Sequence, residues 1–150
     1  MSLETIYDAI LNGDAKKSAA EVAAALEAKV PAEDILHKAC IPAMGEVGRL
    51  FEEGERFVPE MLISARAMQA GMNLLQPHLV EANVKSAGKV LVGTVAGDLH
   101  DIGKNLVAMM MESAGLEVFN LGVDIKPEKF VEEVKSKNAN ILAISSTLSS

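Results

Sequence analysis

The run Lys89-Val90-Leu91-Val92-Gly93-Thr94-Val95 constrains the fold of this chain more than any other stretch. It is short and nearly all apolar, so as a strand it must be buried on both faces, the condition of a parallel sheet. Gly97-Asp98-Leu99-His100-Asp101-Ile102-Gly103-Lys104-Asn105 follows at once, and then helix-like spacing from about Lys104 to Ala114, closed by Gly115. Leu116 to Leu121 reads as a second strand. Pro127 to about Lys135 reads as a helix with its proline in the first turn, and Ile141 to Ser145 as a third strand. This β-α-β-α-β order is the opening of a doubly wound sheet. Such domains have about five strands or more, and the chain stops at Ser150, so the domain over 89–150 is expected to be incomplete at its C-terminus.

Upstream of Lys85 the apolar spacing is helical, which predicts a helical domain over 1–84 joined by a linker from Val80 to Gly88. Leu3 to Leu11 and Ala15 to Ala28 form the first helices. A third starts at Pro31, carries Ile35, Leu36, Ala39, Cys40, Ala43, Met44, Val47 and Leu50 on one face, and should kink at Pro42. Gly45 and Gly48 remove side chains on neighbouring turns, which suits either tight helix packing or close approach of a ligand. A fourth helix follows Phe57-Val58-Pro59 and runs to about Leu79, with a break expected at Pro77. Its Met61, Leu62, Ala65, Met68, Met72 and Leu75 form a stripe that reads as core packing.

Aromatic residues make up only 3% of the chain and the net charge is −7, which argues against a nucleic-acid or anionic-membrane surface. No apolar run approaches the ~20 residues of a membrane span, and the N-terminus lacks the basic and apolar regions of a signal peptide. One cysteine, Cys40, excludes an internal disulfide and reads as a buried, inert thiol; a reducing, cytoplasmic setting is expected.

Ligands of open parallel sheets bind beyond the carboxyl ends of the strands, where His100 falls. A neutral imidazole binds a metal through one nitrogen while the other needs an acceptor. Asp98, two residues earlier, can supply it. Asp101 offers either another carboxylate or a helix N-cap. Gly103 lets a bulky group come close. His37 and His78 lie in helical segments and read as surface or packing residues. No cluster of Cys and His accompanies His100, so a closed zinc site is not expected, and Gly97 with Gly103 does not make a phosphate-binding P-loop. A single protein ligand makes sense where a macrocycle supplies the others.

The motif Gly97 to Asn105 closely resembles the cobalamin-binding motif of corrinoid proteins, the methyl carriers of three-component methyltransferase systems; the corrinoid module of cobalamin-dependent methionine synthase is similar. Gly48-Arg49-Leu50-Phe51-Glu52-Glu53-Gly54-Glu55-Arg56-Phe57-Val58-Pro59-Glu60, continued by Ser64-Ala65-Arg66-Ala67-Met68, resembles the helical cap module of the same family. Ser145 falls at the family's serine after the third strand, where the pattern Ser-x-Leu is replaced here by Ser145-Ser146-Thr147.

The resemblance implies a helical cap over 1–84 and a Rossmann- or flavodoxin-like cobalamin domain over 89–150. It makes His100 the lower axial ligand of cobalt, with Asp98 holding it and Gly97, Leu99 and Asp101 completing the loop. Gly103, Ser145 and Ser149 would accommodate the cofactor's nucleotide tail, while Phe51 and Val58 would cover the methyl-bearing face. The hydroxyl that completes the family's relay with His100 and Asp98 would fall just past Ser150. The implied activity is that of a methyl carrier rather than a complete enzyme. Its partners would be a substrate:corrinoid methyltransferase, a second methyltransferase acting on a pterin or thiol acceptor, and a reductive activase. A cobalamin-binding regulatory or signalling domain without methyl transfer is the alternative.

Overall fold

The computed structural model describes residues 3–147, which divide into two compact units between Val84 and Lys85. In the first, α1 (Leu3–Leu11) and α2 (Ala15–Glu27) are separated by a tight turn. Gly13 holds a left-handed backbone there (φ +74°), and a Cβ at this position would strike Ile63. Asp14 then caps α2 by accepting the Lys17 N–H at 2.9 Å. Next come α3 (Ala32–Ile35), a π-helical segment (Leu36–Cys40), α4 (Ile41–Glu52) and α5 (Val58–Glu81). Their inward faces place Ile6, Ile10, Val22, Ile35, Val47, Met68 and Leu75 in one core, at 0–2% exposure. Cys40 lies in that core, and burial pushes its thiol pKa up to about 12, so the thiol is inert at neutral pH.

Three details depart from the sequence reading. The helix expected to run on from Pro31 is interrupted before Pro42 by a widened π turn, in which Ile41 N–H reaches back to Leu36 C=O, and Pro42 falls in the first turn of α4. Pro77 does not break α5: Asn73, whose carbonyl loses its partner, is exposed, and buried Leu75 and Leu79 fix the helix on both sides of the proline. Because α5 continues to Glu81, the connection to the second unit starts later than Val80. Gly45 and Gly48 meet no heavy atom within 4 Å of an added Cβ, so tight helix packing is not what places them.

The second unit is built on β1 (Lys89–Thr94), α6 (Ile102–Ser113), β2 (Glu117–Asn120), α7 (Pro127–Lys137) and β3 (Ile141–Ser145). The three strands are parallel in the order β2-β1-β3. Central β1 is buried along nearly its whole length, as its apolar run requires. Its alternation serves two layers. Val90 and Val92 pack with Ala108 of α6, while Gly93 faces Phe130 of α7, whose ring would stand 2.6 Å from an added Cβ. The helix α6 begins at Ile102, two residues before Lys104, with Asp101 at its N-cap position and no side-chain capping bond. Asn138 closes α7 in the left-handed conformation (φ 52°). The chain leaves β1 for one neighbour and returns on its other side as β3, so the topology opens a crevice at the carboxyl ends of β1 and β3.

Candidate functional site

The loop from Val95 to Asp101 leaves β1 at that crevice, and its shape is written in its side chains. Asp98 lies two residues before His100, and its Oδ1 accepts both the His100 backbone N–H (2.9 Å) and the ring Nδ1–H (2.7 Å). A carboxylate is an acceptor only, so Nδ1 carries the proton and Nε2 keeps its lone pair. The ring is 76% exposed while the Asp98 side chain beneath it is only 10% exposed. From below, Thr94 at the end of β1, itself fully buried, donates its hydroxyl to the His100 carbonyl at 2.9 Å. His100 is thus held at its amide, its carbonyl and one ring nitrogen, and offers the other nitrogen outward.

A third chain segment joins this pair. Thr147 donates its backbone N–H to Asp98 Oδ2 at 2.7 Å, and its hydroxyl lies 3.0 Å from the same oxygen and 2.9 Å from His100 Nδ1. The register explains it. Thr94 stands opposite Ser145 in the β1–β3 pair, so a residue two beyond β3 meets the turn four to six residues beyond β1. Thr147, at the position where the family's Ser-x-Leu pattern has its leucine, thus brings a hydroxyl to the Asp98–His100 pair. The His100 amide, the Thr147 amide and the His100 ring together hold the Asp98 carboxyl well below the usual carboxylate range.

Behind His100 lies a cleft of about 310 Å³, lined by His100, Asp101, Gly103, Lys104 and Val107 on one side and Val92, Ala143, Ile144, Ser145 and Thr147 on the other. Gly103 and Ser145 both line it. Gly97 takes a left-handed turn (φ +81°) that favours glycine. Leu99 and Ile102 are exposed on the loop and the first turn of α6. Lys104 is 6% exposed and has no carboxylate partner among the described residues; its ammonium is held by the amide oxygens of Asn105 (2.9 Å) and Asn120 (2.8 Å). Phe51 and Val58 lie in the helical unit, 42% and 41% exposed. Ser149 falls outside the described residues. Among the described residues, no group of three or more His, Cys, Asp or Glu could hold a metal ion. His37 and His78 are exposed on their helices, and no helix among the described residues is long and apolar enough to cross a membrane.

The sequence pattern missed Thr94, Thr147 and Asp124, whose Oδ1 accepts the Gly97 N–H at 2.7 Å. All three act through contacts between segments distant in sequence or through a strand residue with no motif. No local signal pointed to Thr147, because only the parallel adjacency of β1 and β3 sets the residue after β3 beside the turn after β1.

Comparison with known proteins identifies relatives of the whole chain. Family models described as B12 binding domains match residues 2–76 and 88–150. The dimethylamine corrinoid protein 3 of Methanosarcina acetivorans is 37% identical over 146 residues, covering 97% of this chain and 68% of that protein. In structure, the chain is similar to one in the methanol:cobalamin methyltransferase complex MtaBC from Methanosarcina barkeri. The TM-score is 0.87 at 30% identity, over 98% of this chain and 57% of that one. A cobalamin-binding protein from Desulfitobacterium hafniense gives a TM-score of 0.74 at 32% identity, over 98% of this chain and 69% of that one. The chain belongs to the corrinoid proteins, the B12-binding family of methyltransferase systems.

Proposed function

We propose that this chain holds cobalamin with His100 Nε2 as the lower axial ligand of cobalt, in place of the cofactor's own base, and serves as a methyl carrier between two methyltransferases. The observation that carries the reading is the Asp98–His100–Thr147 cluster. It fixes one imidazole tautomer and leaves one nitrogen free above a cleft. The donor set fits a corrin, because a lone imidazole is a poor site for a bare ion but completes the coordination of a cobalt already held by a macrocycle. Gly103 supports it too: an added Cβ would meet nothing within 4 Å, so no packing inside the protein calls for glycine at this point of the cleft.

In this reading the bound corrinoid supplies a cobalt centre that accepts and gives up a methyl group; the protein supplies ligation, shielding and access. Asp98 orients His100 and fixes its tautomer, Thr147 steadies Asp98, and the mainly apolar cleft with Gly103 and Ser145 takes the nucleotide tail. Phe51 and Val58 are assigned to exclude water from the methyl-bearing face. The donor methyltransferase sets the substrate, a second methyltransferase passes the methyl to a pterin or thiol, and a reductive activase restores inactivated cofactor. The named relatives are a dimethylamine corrinoid protein and a chain of a methanol:cobalamin methyltransferase complex, in keeping with a donor chosen by the partner.

The test is direct. Hydroxocobalamin added anaerobically and followed by desalting should leave the protein coloured, and His100→Ala should keep the cofactor with a changed visible spectrum. An unchanged spectrum with retained cofactor contradicts the ligand assignment. A methyl-transfer assay with candidate partners separates a carrier from a regulatory domain.

A further inference from the structure

Asp124 lies in the β2–α7 loop, 27 residues from the turn it touches, and it grips that turn twice. Its Oδ1 accepts the Gly97 N–H at 2.7 Å, and its own N–H donates to the Asp98 carbonyl at 3.1 Å. It does so from a left-handed backbone (φ 54°), a conformation Asp tolerates better than most residues. We propose that Asp124 is a positioning residue for His100, acting through the Gly97–Asp98 backbone; the proposal rests on the ligand reading above.

The loop is anchored without Asp124's carboxylate. Ile125 N–H meets Thr94 C=O and Thr94 N–H meets Gly122 C=O, both at 2.9 Å. The Asn120 amide oxygen accepts the Gly122 N–H at 3.0 Å and the Lys104 ammonium at 2.8 Å. The carboxylate therefore projects from a fixed platform, and its removal frees the Gly97 amide and little else. Asp98 would feel that release first, because its carbonyl is tied to Asp124 while its carboxylate carries the His100 ring. A short hydrogen bond to a charged acceptor is the strong kind, so its loss is felt at the ligand. Ligand geometry at a metal depends on such supports behind the first contacts.

The test uses the whole chain with Asp124→Gly and Asp124→Asn, each loaded with hydroxocobalamin and desalted, with His100→Ala as the reference for lost ligation. Glycine keeps the left-handed backbone and removes the acceptor; asparagine keeps both. Asp124→Gly should lose half or more of the spectral difference between the unmutated protein and His100→Ala, and Asp124→Asn should retain it. In the cofactor-free proteins, Gly97 amide exchange should be about tenfold faster in Asp124→Gly, the loss of one charge-assisted hydrogen bond. An unmutated spectrum in Asp124→Gly overturns the proposal, as does equal loss in both variants. If Asp124→Gly retains no cofactor, exchange decides: unchanged protection overturns the proposal, and loss confined to Gly97–His100 supports it. Identical spectra for the unmutated protein and His100→Ala would instead sink the ligand reading, and this inference with it.

Discussion

At His100 one carboxylate does most of the organising. Asp98 Oδ1 takes the amide and ring of His100, and Oδ2 takes the amide and hydroxyl of Thr147. Asp98→Asn exchanges an acceptor-only group for one with donors, so the Nδ1–H bond must compete with an amide NH₂. Cobalamin affinity or methyl-transfer rate should fall roughly 10- to 100-fold. Thr147→Val keeps the backbone contact and loses the hydroxyl ones, so its loss should be smaller, about two- to tenfold. Titrating cofactor into each variant checks the order; a Thr147→Val loss exceeding that of Asp98→Asn would contradict this division of roles. The Asp98–His100 contact was legible in the sequence because it spans two residues on one turn. Thr147 was not, because it enters across the sheet, and only the β1–β3 register brings it there.

Among the elements, those with local causes were read correctly. The start of α7 at Pro127 and the double burial of β1 follow from proline geometry and an unbroken apolar run. The errors fell where tertiary packing overrides a local rule, as at Pro77, where buried neighbours carry α5 past the proline. Gly93 shows the reverse, a local oddity with a tertiary cause: within a strand its missing side chain makes room for Phe130, which is 4% exposed and has nowhere to go. Gly93→Ala should destabilise the α/β unit by about 1–3 kcal/mol, the range for overpacking a filled core. Urea unfolding followed by a probe in that unit checks it, and an unchanged midpoint would show that Phe130 yields freely.

Over the whole molecule, the period of the apolar pattern changes near Lys85 from helical to alternating, and the structure forms two compact units that meet in sequence at Val84 and Lys85. Strand order was not legible, because both neighbours of β1 are apolar runs and nothing local says which side each takes. Yet that order opens the crevice between β1 and β3 and brings a hydroxyl to the histidine. The chain spans about two thirds of the length of its dimethylamine relative, 68%, and includes the histidine loop and the cleft behind it. The proposed ligation of cobalt by His100 can be read by isotope labelling. The chain is produced with ¹⁵N-histidine, loaded with unlabelled cobalamin, reduced to the cobalt(II) state and examined by electron paramagnetic resonance. The account predicts that the ¹⁴N triplet on each cobalt line becomes a ¹⁵N doublet, and that His100→Ala removes it. A triplet that persists with labelled histidine would mean that the cofactor's own base holds the cobalt, and would contradict the account.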